Sequence, residues 1–232
     1  MDRIVIGSGL TKSEVVLLRG GETRSWDITV GGGASFSLAI VALPGACGDA
    51  VRPCAGDAAA LPAGGKSIDC DIAVRFDGEG GECQLRGLYL AGGSSSVNIK
   101  VNMVHNLPNC TSRQMFKGIL SGEARTQFFG LINVPEKCIG TEAYQENHNL
   151  LLSDTCRAQS LPQLEIYADD VKCSHGATFG RLNADELFYM RSRGIPEGEA
   201  RRLQMVAFAG AVLEGLPDDI VAAALAELAR LV

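Results

Sequence analysis

The sequence has 232 residues, 46% hydrophobic and 21% charged, with a formal net charge of −6 at pH 7. A chain of this length buries a substantial core, and its composition is that of an ordinary globular protein. The acidic balance argues against a nucleic-acid surface or a polybasic membrane surface, and no apolar run approaches the ~20 residues that cross a bilayer. The opening residues, Met1-Asp2-Arg3-Ile4-Val5-Ile6, show neither the apolar stretch nor the cleavage site of a secretory signal, so a cytoplasmic location is expected.

Strand-like runs are predicted over 3–6, 14–18, 26–30 and 36–40, punctuated by Gly20-Gly21 and Gly31-Gly32-Gly33. Residues 43–68 are rich in Gly, Ala and Pro without periodicity and read as a long excursion. Strand material returns over 70–76 and 84–91. The clearest alternation follows, with Val97, Ile99, Val101 and Met103 on one face. Shorter runs are predicted over 118–120, 127–134 and 149–152, and then comes Leu164-Glu165-Ile166-Tyr167-Ala168-Asp169-Asp170-Val171-Lys172-Cys173-Ser174-His175. Many short strands without intervening helices imply an all-β body: a sandwich, a barrel or a parallel β-helix. Hairpin signals are scarce, Asp77-Gly78 being the sole Asp-Gly, which favours a β-helix with coils of ~20 residues.

The last fifty or so residues differ. Asn183 with Glu186 resembles a capping box for a helix that Gly194 ends. Pro196 opens a second helix with a stripe of Ala200, Leu203, Ala207, Phe208, Ala211 and Val212. Pro217 opens a third, with Ile220, Ala224, Leu225, Leu228 and Leu231. The expected division is a β body over 1–180 and a helical subdomain over 181–232. These three amphipathic helices either cap the open end of the β body or present a stripe to a partner.

Eight cysteines stand at 47, 54, 70, 83, 110, 138, 156 and 173. Without a secretory context and without any Cys-x-x-Cys pair, neither a disulfide framework nor a structural zinc site is expected, and most of them read as small apolar residues. Gly64-Gly65-Lys66-Ser67 resembles the end of a phosphate loop, but Ala60 stands where the pattern needs glycine, so nucleotide binding is not expected. Asp169-Asp170 with His175-Gly176 brings to mind β-helical polysaccharide hydrolases or lyases, yet adjacent aspartates on a strand face opposite sides, and a turn is the simpler reading. His105, before Asn106-Leu107-Pro108, reads as a strand-end hydrogen bonder, and His148 is ambiguous. Cys173 and His175, two apart on a strand, share one face and are ligand types for iron or zinc, with Lys172 turned the other way.

Four stretches carry a family likeness: Asn109 to Leu120, Thr141 to Asp154, Pro162 to Thr178 and Leu187 to Ile195, with looser similarity over 71–93. Through them the chain resembles the SufB/SufD family of the SUF iron–sulfur cluster assembly machinery, on its SufD side. The resemblance implies a mainly β protein, a right-handed parallel β-helix followed by a small C-terminal α-helical subdomain. It implies a non-catalytic scaffold subunit, not an enzyme. The expected partners are a SufC-type ABC ATPase, held by the helical part, and a SufB-type paralogue, paired through the β-helix, with a homodimer in isolation. By position, Cys173 and His175 match the family's Cys-x-His element at the assembly interface. Leu203, Ala207, Phe208, Leu225 and Leu228 are the candidates for ATPase docking. No tightly bound cofactor is expected, only transient iron or an iron–sulfur cluster between subunits. Family members usually carry a helical N-terminal region, whereas these residues begin almost directly in strand material.

Overall fold

The computed structural model describes residues 1–45 and 67–232. Most of the Gly/Ala/Pro-rich excursion, the Gly64-Gly65-Lys66 segment, Cys47 and Cys54 lie outside the described residues. The strands alternate between two sheets. One holds β1 (Asp2–Ile6), β3 (Thr23–Val30), β5 (Ser67–Phe76), β7 (Ser96–Val104), β9 (Arg125–Val134) and β11 (Arg157–Ile166), in that order. The other holds β2 (Thr11–Arg19), β4 (Ser35–Leu43), β6 (Glu82–Ala91), β8 (Thr111–Leu120), β10 (Glu142–Leu151) and β12 (Lys172–Gly180). Each strand pairs in parallel with the strand two elements away in sequence. The chain therefore winds as a parallel β-helix, as expected.

The coils are longer than the ~20 residues the sequence suggested. Ser13 bonds Ser37 across a separation of 24, Asp69 bonds Asn98 across 29, and Gln127 bonds Gln159 across 32. A repeat hidden from simple inspection marks the corner before each even-numbered strand from β4 onwards. Gly33, Gly80, Asn109, Gly140 and Asp170 all take positive φ, between 51° and 68°, two residues ahead of the strand. Glycine, asparagine and aspartate are the residues that tolerate this left-handed conformation. Asp169-Asp170 is thus a turn, and the carbonyl of Asp170 accepts a hydrogen bond from the N–H of Gly140 in the coil below, at 2.9 Å.

Side chains facing the bore fill the first core, which includes Trp26, Phe36, Ile72, Phe76, Phe116 and Phe128. Small residues make room for large ones across coils. A methyl group on Gly87 would overlap the Phe116 ring, and one on Gly118 would overlap the Tyr89 ring. On the even-numbered side the bore turns polar from β8 onwards. Gln145 Nε2 donates to Gln114 Oε1 at 2.9 Å, Tyr89 donates to Asn149 Oδ1 at 2.7 Å, and Asn147 Nδ2 donates to the Tyr89 hydroxyl at 2.9 Å. These bonds offset much of the cost of burying the groups, though Gln114 Nε2 and Gln145 Oε1 are left without a partner among the described residues.

Three helices follow: α1 (Ala184–Ser192), α2 (Glu197–Leu213) and α3 (Asp218–Arg230). Asn183 caps α1, its side chain accepting from the N–H groups of Asp185 and Glu186, and Gly194 follows the helix at φ 86°. Pro196 and Pro217 stand at the N-caps of α2 and α3, one residue before the predicted first turn. The helices do not cap the open end of the β body. α2 and α3 lie on the outer face of the even-numbered sheet, where Met205, Ala209, Val212, Ala224 and Leu228 meet Ala39, Val41, Leu88, Leu90 and Ile119 in a second core. The physical reason is the doubly apolar face pattern of β4 and β6, which leaves hydrophobic side chains outside the bore as well as inside. Two cations of the sheet reinforce the seat: Lys117 donates to the carbonyl of Phe208 at 2.9 Å, and Arg86 to that of Glu214 at 3.0 Å. α1 buries no residue, so it is not the amphipathic helix the sequence suggested.

Replacing Gly118 with alanine is expected to destabilise the chain by ~1–3 kcal/mol, because the added methyl has no room beside Tyr89 and Asn149. The same change at Gly176, which has open space around it, should stay within ~0.5 kcal/mol. Urea unfolding of the two variants checks the contrast.

Candidate functional site at the mouth of the bore

The in-register ladder fixes where Cys173 and His175 point. Cys173 stacks on Ala143, which stacks on Ser112 and then Cys83. His175 stacks on Gln145, which stacks on Gln114 and then Leu85. The lower members of both columns are buried bore residues, so Cys173 and His175 share the inward face of the final coil, as their spacing predicted. Being last, they close the bore from above: Cys173 is half-buried against the core and His175 is exposed. Lys172 faces outward, as expected, and donates to Glu142 at 2.9 Å. That contact holds the Glu142 carboxyl below its ordinary range and raises the Lys172 ammonium.

Partial burial pushes the Cys173 thiol above its ordinary value, against a smaller opposing effect of a hydrogen bond from the Ala143 backbone. Neither ring nitrogen of His175 has a hydrogen-bond partner among the described residues. No three His, Cys, Asp or Glu side chains gather around one position among them, so Cys173 and His175 offer two donors. The six described cysteines are free thiols, and all except Cys173 are buried. Burial pushes Cys70 and Cys83 up to about 12.

The other histidines separate from the site. His105 is fully buried, stacks on Phe76 at 4.6 Å and lies 2.9 Å from Ser112 Oγ, a strand-end hydrogen bonder as read. Burial lowers its imidazole to about 4. His148 lies on the outer face, where Nδ1 is 2.8 Å from Thr178 Oγ1.

The two sheets end differently. In a parallel ladder a residue turns its N–H and C=O to one neighbouring strand, and the next residue turns both to the other. The N–H of Lys172 bonds back to Thr141, so Cys173 and His175, one and three residues on, direct their backbone groups to the free edge of β12. On β11 the N–H groups of Arg157 and Tyr167 bond back to Ala124 and Val134 at either end, which places Pro162 in the outward phase. Proline has no N–H, so the free edge of β11 lacks a donor at its middle.

The candidate docking residues divide. Leu228 is fully buried against the sheet and Leu225 is half-buried, so the α3 stripe holds the helix in place and does not form an open surface. On α2, Leu203 is 39% exposed and Ala207 is exposed, while Phe208 is half-buried with Lys117 Nζ 4.9 Å from its ring centroid. α2 buries Met205 and Ala209 instead of the predicted stripe. The helix is apolar nearly all round between Leu203 and Leu213, and periodicity alone could not choose its inner face. Leu203, Ala207 and Phe208 line a groove of about 350 Å³ with Leu182 and Met190. Beside it, Phe188 and Tyr189 of α1 are 73% and 59% exposed. Sequence reasoning passed over this pair; the available signal was two adjacent aromatics in a helix with no apolar stripe.

The comparisons decide the family. Residues 57–208 match the family described as "SUF system FeS cluster assembly, SufBD core domain". The chain belongs to the SufB/SufD family. It is 38% identical over 156 residues to the iron–sulfur cluster assembly protein SufD of Escherichia coli, which covers 67% of this chain and 37% of that protein. It is 37% identical over 158 residues to a SufBD family protein of Mycobacterium tuberculosis, covering 65% of this chain and 40% of the relative. A SufBD family protein of Synechocystis is 46% identical over 112 residues, 48% of this chain and 25% of the relative. The matched region is thus less than half of each of these SufB/SufD relatives. The family and these relatives are described by their part in iron–sulfur cluster assembly. No described helix is long and apolar enough to cross a membrane.

With its thiol raised, Cys173 should react slowly. Alkylation by iodoacetamide at neutral pH, followed by peptide mass spectrometry, is expected to proceed more slowly at Cys173 than at free cysteine, and to accelerate as pH rises past about 8.5. A rate at neutral pH above that of free cysteine would reveal an activated thiolate.

Proposed function

We propose that this chain is a non-catalytic, cytoplasmic scaffold subunit of an iron–sulfur cluster assembly complex, working with a SufC-type ABC ATPase and a SufB-type paralogue. The observation that carries the reading is the pairing of Cys173 and His175 at the mouth of the bore, on a strand whose outer edge is free among the described residues. A thiolate and an imidazole suit iron, but two donors fall short of a tetrahedral set. A strand added along β12 by the paralogue would bring further donors to the same rung, so that assembly depends on pairing. Iron or a nascent cluster is the cargo here and is held only while the subunits are joined. Metal binding displaces the Cys173 proton, and its raised thiol keeps the site weak in the unpaired subunit. The chain taken alone forms a homodimer through the same edge.

The second contact belongs to the helices. The groove at Leu203, Ala207 and Phe208, extended by Phe188 and Tyr189, joins apolar and aromatic surface of the kind that anchors interfaces. The division into a β body over 1–180 and a helical part over 181–232 separates cluster work from ATPase docking. The two parts nevertheless share a core, so removing the helices would strip the even-numbered sheet, and point changes are the better test.

His175→Ala is expected to leave the melting temperature and paralogue binding unchanged while nearly abolishing maturation of a reporter iron–sulfur enzyme in cells. Normal maturation would overturn the role of His175, and an unfolded variant would make it structural. Separately, Leu203→Glu combined with Ala207→Glu should remove co-purification of the ATPase without loss of helicity by circular dichroism. Undiminished capture would place the docking surface elsewhere.

A further inference from the structure

One column of the bore reads Leu38, Leu85, Gln114, Gln145 and His175 from the inside to the mouth. The two glutamines are buried, and the amide of Gln145 is oriented by its Nε2 donating down to Gln114 Oε1 at 2.9 Å. Its Oε1, equally buried, has no partner among the described residues, and neither does Gln114 Nε2, on the far side of the amide that accepts from Gln145. A buried carbonyl without a donor carries the penalty of a lost hydrogen bond. The surroundings narrow what can supply that donor. Across the bore the amide reaches Gly130, where a methyl group would overlap it, and the residue stacked on Gly130 is Pro162, which has no N–H. Ser160 also has an unpartnered hydroxyl, but its register position is above Phe128. The group stacked directly on Gln145 is His175, whose ring nitrogens are also without partners among the described residues.

We propose that Gln145 is a positioning residue for His175: its Oε1 accepts the hydrogen of the ring nitrogen that faces into the bore. The neutral imidazole is thereby held in one tautomer, with the lone pair of the other nitrogen at the mouth. Histidines that ligate metals are oriented in this way by a fixed acceptor behind the ring. Gln114 Oε1, by accepting from Gln145 Nε2, favours the orientation that leaves Gln145 Oε1 towards the mouth. The consequence for cluster assembly rests on the proposed role of His175; the tautomer itself does not.

The test uses the full chain labelled with 15N-histidine, its three histidines assigned with His175→Ala as reference. Long-range proton–nitrogen correlation is recorded at about pH 8.5, above the ordinary imidazole range. The expected result is one protonated and one unprotonated ring nitrogen for His175. Gln145→Met, of similar volume but without the acceptor, should move both signals towards the solvent-averaged mixture. Gln145→Glu, which restores an acceptor oxygen, should return the single tautomer. In cells Gln145→Met should lower cluster maturation about tenfold. An averaged pair of nitrogens in the unaltered chain overturns the inference, even where Gln145→Met fails to fold, and so does an unchanged spectrum in Gln145→Met. A shifted spectrum with normal maturation in His175→Ala upholds the positioning and overturns the assembly role instead.

Discussion

The structure depends on one constraint, the in-register parallel ladder. Each coil lays its side chains on their counterparts in the coil below, so a residue's surroundings are set mainly by what stands one coil away. Phe116 lies over the gap left by Gly87, and Gln145 donates to Gln114 directly beneath it. The corner residues obey the same rule, with glycine, asparagine or aspartate recurring in the left-handed region at one height. A change that slipped one coil by a residue would send every bore-facing group of that coil outward.

The ladder also explains why the site sits where it does. Interior coils are paired above and below, and most of their inward polar groups bond to one another. The final coil has a neighbour on one side alone, so Cys173 and His175 keep the orientation the bore imposes but lose its cover. Orientation and access, which usually compete, are both obtained at the end of a stack. The helices, lying on the flank of the even-numbered sheet, leave this end open.

Much of this was legible in sequence, and the failures have physical causes. Strands with an apolar inner face, such as β7, were read nearly to their ends. β8, β10 and β11 were recognised only in part, because Ser112, Gln114, Gln145, Asn147 and Ser160 occupy inner positions and break the alternation of apolar residues. The common face of Cys173 and His175 followed from strand parity alone. That this face is the bore required knowing which strand lies beneath. On α2 the inner face was misread because the helix is apolar on most sides, whereas α3, with a cleaner stripe, had its buried residues Ile220, Ala224 and Leu228 picked correctly. The two-fold division of the outer and inner faces of β4 and β6 was the missing clue to where the helices go.

Pro162 has a consequence for how such molecules associate. A β-helix ends in two raw sheet edges, and a second molecule matching both would extend the coil, its own far end then recruiting a third. Growth of that kind is open-ended and leads to fibres. With the donor missing at the middle of β11, one of the two edges is interrupted, while β12 carries no proline. One intact edge beside one interrupted edge favours the addition of a single strand over open-ended growth.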